Sequence, residues 1–260
     1  MLFSDRPRTH YPSAPVHEVI CQLRFPTILT INSVEPADFQ EAVRADFPQY
    51  ARRQEAPPPV PQAPGTSRPA PVSNYHFLSE DNHWKLNLTK DFIALSTVRY
   101  PGWETFAGRL DKALAAFIQT YQPAYFQRVG LRYVNLISRK RLDLEDTPWT
   151  ELIAPAYTGA LADPELREED CLSLGTDVTL KLDNSCRAKI HGGLARLQVN
   201  GPNAAQQDPE VRFMLDMDLS MSGNVPCTMA AGALETLHLH GGRIFEGAIT
   251  EELREAMSRP

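Results

Sequence analysis

Between Val16 and Ile31 apolar and polar residues alternate, with Val19, Cys21, Leu23 and Phe25 on one side and Glu18, Gln22 and Arg24 on the other. A period of two predicts a strand with one buried face. Past Asn32 and Ser33 the period changes. Phe39, Val43 and Phe47 recur at helical spacing, Pro36 falls in the first turn and Pro48 ends the helix. Three short strands are expected next, roughly over 75–80, 83–89 and 92–100, with turns at Asp81-Asn82 and Lys90-Asp91. In the middle one Trp84, Leu86 and Leu88 alternate with Lys85 and Asn87, as a half-buried antiparallel meander requires. Phe106, Leu110, Leu114, Phe117 and Ile118 then predict a long amphipathic helix from Trp103 to Tyr121, stopped by Pro123.

The same order recurs downstream. Residues 126–137 alternate like the first strand, and Leu131-Arg132-Tyr133 mirrors Leu23-Arg24-Phe25. A helix is expected near Trp149 to Tyr157, then strands around 172–182, 187–199 and 211–221. The last helix starts near Met229 with Leu234, Leu237, Leu239, Ile244 and Phe245 as core candidates; Gly241-Gly242 is a potential break, and Thr250-Glu251-Glu252-Leu253 begins a final turn. The pattern therefore predicts an α+β fold of two β-α-β-β-β-α repeats, residues 1–124 and 125–260, with antiparallel sheets packed against helices and the two halves packed as one unit. In residues 56–73, APPPVPQAPGTSRPAPVS, repeated proline removes amide donors and favours polyproline II, so they read as a surface loop in the first half, with PxxP spacing that an SH3-like partner would accept.

Composition narrows the classes. With 42% hydrophobic and 22% charged residues the chain has the balance of a globular protein. A net charge of −6 argues against a protein that coats nucleic acid, while leaving room for a local basic groove. Met1 to Pro15 contains no apolar signal-peptide core, and no run approaches the roughly 18 apolar residues of a membrane span, which predicts a cytoplasmic protein without a membrane partner. Four cysteines, Cys21, Cys171, Cys186 and Cys227, include no C-x-x-C pair and are expected to be reduced.

Candidate chemistry is sparse. Arg24 and Arg132 hold matching positions in the two repeats, opposite the apolar face, and two guanidinium groups on a concave surface would make an anion site. Asp216 and Asp218, two apart in an expected strand, project from one face and would hold a divalent cation if a third oxygen joined them. His191-Gly192-Gly193 and His240-Gly241-Gly242 share a tripeptide that would serve either a backbone approach to phosphate or a turn. His238 and His240, two apart on an expected helix, point to different sides. No nucleophile elbow, zinc-protease, phosphate-loop or dinucleotide motif is present, and no cofactor is expected.

Residues 15–25, PVHEVICQLRF, with FQRVGLRYVNLI, the Leu215-Asp216-Met217-Asp218 strand and LHGGRIFEGAITEELREAM, resemble an uncharacterised, sporadically distributed prokaryotic family over nearly the whole chain. The patchy distribution of that family implies an accessory place in a defence or CRISPR-linked locus. The element order is also similar to the duplicated unit of the TATA-box-binding fold, although the acidic balance here speaks against DNA. Three functions follow as expectations. The first is a non-enzymatic module that binds a protein through its sheet or its proline-rich loop. The second is a cleft between the halves, near Arg24 and Arg132, for a small anion or a nucleic-acid end. The third is a metal-dependent hydrolase built on Asp216, Asp218 and a histidine.

Overall fold

The computed structural model describes residues 2–7, 9–55, 71–183, 185–197 and 208–259. Along the chain run β1 (Val16–Arg24), α1 (Thr30–Ser33), α2 (Ala37–Val43), β2 (Gln49–Glu55), β3 (Val72–Leu78), β4 (Trp84–Leu88), β5 (Phe92–Thr97) and α3 (Trp103–Tyr121). There follow β6 (Phe126–Ile137), α4 (Trp149–Leu152), α5 (Pro155–Thr158), β7 (Gly175–Lys181), β8 (Cys186–Ala195), β9 (Arg212–Val225), α6 (Ala230–Ala248) and α7 (Glu251–Ser258). The fold is α+β. All nine strands belong to one sheet, in the order β2-β3-β4-β5-β1-β6-β9-β8-β7, where the sequence pattern left open one continuous sheet or two sheets, one in each half.

One strand escaped the pattern. β2 is exposed at all seven of its residues, so it has no apolar–polar alternation to betray it, yet its register with β3 runs unbroken from Gln49↔Leu78 to Glu55↔Val72. The first half therefore has four strands between its helices, not three. Of the expected proline-rich loop, residues 56–70 lie outside the described residues, and Val72 and Ser73 already belong to β3. The expected strand over 187–199 is described as far as Ala195, with residues 198 and 199 also outside.

By proximity the residues group into two compact units. One comprises residues 20–130 and 222–233. Its core is aromatic: Phe25 lies on Phe117 with ring centroids 4.7 Å apart, Phe39 meets Phe77 edge-on at 5.4 Å, and Trp84 covers Phe106 at 5.8 Å. These are the residues that the alternating strands and the helical stripes direct inward.

The other unit comprises residues 1–19, 131–221 and 234–260. Leu131, Tyr133, Phe213, Leu215, Met217, Leu219, Ala188 and Ile190 form the buried face of β6, β9 and β8. Leu234, Leu237 and Ile244 of α6 and Leu253 and Met257 of α7 are buried in the same unit, and α6 meets this face at Tyr133. Leu239 is 56% exposed because the buried stripe of α6 runs through positions 234, 237, 241, 244 and 248 and leaves position 239 outside. Gly241 and Gly242 do not break the helix; a Cβ at Gly241 would come within 3.3 Å of the Tyr133 ring, so the glycine lets α6 approach β6. Thr250 caps α7 by accepting from the Leu253 amide. The expected helix at 149–157 is two single turns, α4 and α5, because Pro155 interrupts it. Among the described residues no helix is long and apolar enough to cross a membrane.

Candidate functional site

Arg132 does not stand open on the sheet. Its Nε donates to Asp216 Oδ1 at 2.7 Å and its second nitrogen to Oδ2, so β9 closes a fork onto the guanidinium of β6. Asp216 faces His191 across the β8–β9 register, and His191 Nδ1 lies 3.2 Å from Asp177 Oδ1 on β7. Asp218 faces Lys189 in the same ladder. Asp177, His191, Asp216 and Arg132 thus form a row of polar side chains across four strands, as cross-strand pairing on a solvated face favours. Arg24 is exposed at the end of β1 and belongs to the other unit. Among the described residues no third histidine, cysteine or carboxylate joins Asp216 and Asp218 in a cation-sized group.

The two His-Gly-Gly tripeptides turn out to be unlike. The first lies inside β8, where a Cβ at Gly193 would collide with the Leu174 carbonyl, the acceptor of the Leu194 amide at 3.1 Å. Glycine there permits a close backbone approach and makes no turn. The second lies inside α6, where His238 is buried with Nδ1 2.7 Å from the Tyr133 hydroxyl and His240 points elsewhere.

His240 meets the β7–β8 hairpin. Asp183 Oδ1 accepts from the amides of Ser185 and Cys186 at 2.8 and 2.7 Å and so folds the turn onto its own side chain. The other oxygen, Oδ2, lies 3.4 Å from His240 Nε2, and the ligand atoms of Asp183, Cys186 and His240 all fall within 4.8 Å of one another. The two turn amides hold the Asp183 carboxyl well below the usual carboxylate range. Burial, and then the neighbouring Asp183, push the Cys186 thiol up to about 11. All four cysteines are free thiols, with Cys21 and Cys186 buried. The sequence signal for this group is slight: a D-x-x-C turn is visible, but His240 reaches it only through the packing of α6.

An open cavity of about 710 Å³ lies between the segment after β6 and the neighbouring ends of β8 and β9, lined in part by Arg139, Glu145, Glu168, Leu172 and Arg196. Arg139 lies over the Trp149 ring at 4.5 Å and pairs with Glu168 at 2.8 Å. Both signs of charge are present, so the cavity has no clear preference for an anion.

At the far edge of the sheet β2 offers a different surface. Among the described residues no backbone hydrogen bond reaches it except from β3. On it Tyr50 is 43% exposed, and nearby Val34 is 67% exposed, next in sequence to Glu35, which accepts from Tyr50 and from Arg52, the latter at 2.9 Å. No family model and no curated protein matches the chain.

Proposed function

We propose that the protein is a non-enzymatic module that binds a protein partner by accepting an extended segment of it along β2. The observation that carries this reading is the edge itself. All seven residues of β2 are exposed, and the strand ends the sheet order. An uncovered edge is a template for another strand, and main-chain hydrogen bonds supply affinity without any catalytic residue. Tyr50 on the edge strand and Val34 near it, both exposed, would give apolar contacts to side chains of the incoming strand.

The scaffold we infer is a doubled β-α-β-β-β-α unit. Read outward from the middle, the sheet order runs β1-β5-β4-β3 on one side and β6-β9-β8-β7 on the other, with α3 and α6 following corresponding strands, which supports a duplication to which β2 was added. An accessory place in a defence or CRISPR-linked locus would suit such a module, and it rests on the family resemblance alone.

The test is a proline pair. Along a strand successive amides point to opposite sides, so of Ala51→Pro and Arg52→Pro one removes an amide facing β3 and the other an amide facing outward. The variant that keeps its melting temperature is the outward one. It is expected to lose a partner that the unaltered chain captures stoichiometrically from native extract. Retention of that partner, or no stoichiometric partner for the unaltered chain, overturns the reading.

A further inference from the structure

We propose that Asp183, Cys186 and His240 form a binding site for one divalent cation of the zinc class, which ties the β7–β8 hairpin to α6. The donor set decides the class. One imidazole nitrogen, one thiolate sulfur and one carboxylate oxygen suit a borderline-soft tetrahedral ion, whereas calcium and magnesium take oxygen donors. Zinc bonds of about 2.0–2.3 Å place tetrahedral ligand atoms roughly 3.3–3.8 Å apart. The three ligand atoms here lie within 4.8 Å of one another, so closure asks for a movement on the order of an ångström.

The local structure supports that closure. Cys186 is fully buried at the start of β8, which fixes the sulfur. Asp183 spends Oδ1 on the turn amides, and this orients the carboxylate and leaves Oδ2 toward His240. Outer hydrogen bonds of this kind are what hold a metal ligand in place. The direct His240–Asp183 separation of 3.4 Å is longer than an ordinary N–H···O bond, so the two side chains are neighbours without being well bonded to each other. The Cys186 sulfur has the Asp183 carboxylate as a hydrogen-bonding neighbour, with the Ser185 hydroxyl at 4.0 Å.

Three protein ligands leave a fourth position for water, on the side where Asp183 is 43% exposed. Binding converts the thiol to a metal thiolate and passes its proton to solvent, so affinity rises with pH. The site is separate from β2, and its failure would leave the edge-binding reading untouched.

The experiment uses the full chain, reduced and stripped with chelator, titrated with Co²⁺ as the probe. We expect a thiolate-to-cobalt charge-transfer band in the near ultraviolet that saturates at one equivalent and is bleached by Zn²⁺. Cys186→Ser should abolish the band. Since Cys186 is buried and its replacement risks the fold, His240→Gln serves as the second variant, because it alters a helix side chain without touching the strand core; it should weaken Co²⁺ binding at least about tenfold while leaving the apo melting temperature in place. Absence of the band in excess Co²⁺, or an unchanged affinity in His240→Gln, overturns the proposal.

Discussion

Arg254 on α7 clamps the end of α6: its Nε meets the buried carboxylate of Glu246 at 3.0 Å, and one of its terminal nitrogens donates to the carbonyls of Glu246 and Ile249 at 2.6 and 2.9 Å. Tyr11 completes the arrangement by donating its hydroxyl to Glu246 at 2.8 Å, so the N-terminal segment is fastened to the same charge. Burial first, and then that carboxylate, push the tyrosine well above its ordinary range.

Removing the cation from this clamp strands a buried anion and two carbonyl acceptors. Arg254→Ala is expected to cost about 3–5 kcal/mol, as for other buried pairs broken from one side. Glu246→Leu combined with Arg254→Leu should recover part of that loss, since apolar replacement of both charges removes the desolvation cost but not the loss of donors to the two carbonyls. Urea denaturation of the two variants checks both, and an Arg254→Ala cost under about 1 kcal/mol would contradict the clamp.

The Arg132–Asp216 fork is expected to behave otherwise. Arg132 keeps 45% of its side chain exposed, so solvent screens the pair, and Asp216→Asn should lower stability by no more than about 1 kcal/mol. The same denaturation measurement decides this, and a larger loss would mean that the polar row across β7, β8, β9 and β6 acts as a network.

His76 provides the pH dependence. It is buried on β3, its Nε2 has no hydrogen-bond partner among the described residues, and its pKa is lowered from 6.5 by burial first and by Lys85 and Arg53 after it. Between that lowered value and 6.5 the unfolded chain binds a proton that the folded chain refuses, so this contribution to stability is complete above 6.5 and declines as pH falls through the window. His76→Gln is expected to flatten the fall in stability between about pH 7 and pH 5. Unchanged slopes in urea midpoints at the two pH values would remove His76 as its source.

The strand-and-helix order was legible wherever one face of an element is buried. Val19, Cys21, Leu23 and Phe25, or Phe106, Leu110, Leu114 and Phe117, declare their period because burial selects every second residue in a strand and every third or fourth in a helix. β2 was illegible for the converse reason: an edge strand exposed at every residue, as QYARRQE is, carries no period to read. Leu239 misled because it sits beside the true stripe of α6 and satisfies hydrophobicity without facing the core.

By itself, then, the sequence determined the α+β class, the buried faces and the boundaries set by Pro123 and Thr250, since each follows from a local period or a local backbone restriction, whereas α2 stops at Val43, short of the end expected at Pro48. Tertiary structure alone decided that the strands share one sheet, that Asp216 closes on Arg132, and that His240 arrives at the Asp183–Cys186 turn. These relations join residues far apart in the chain. They depend on strand order, register and helix rotation, which no local pattern encodes.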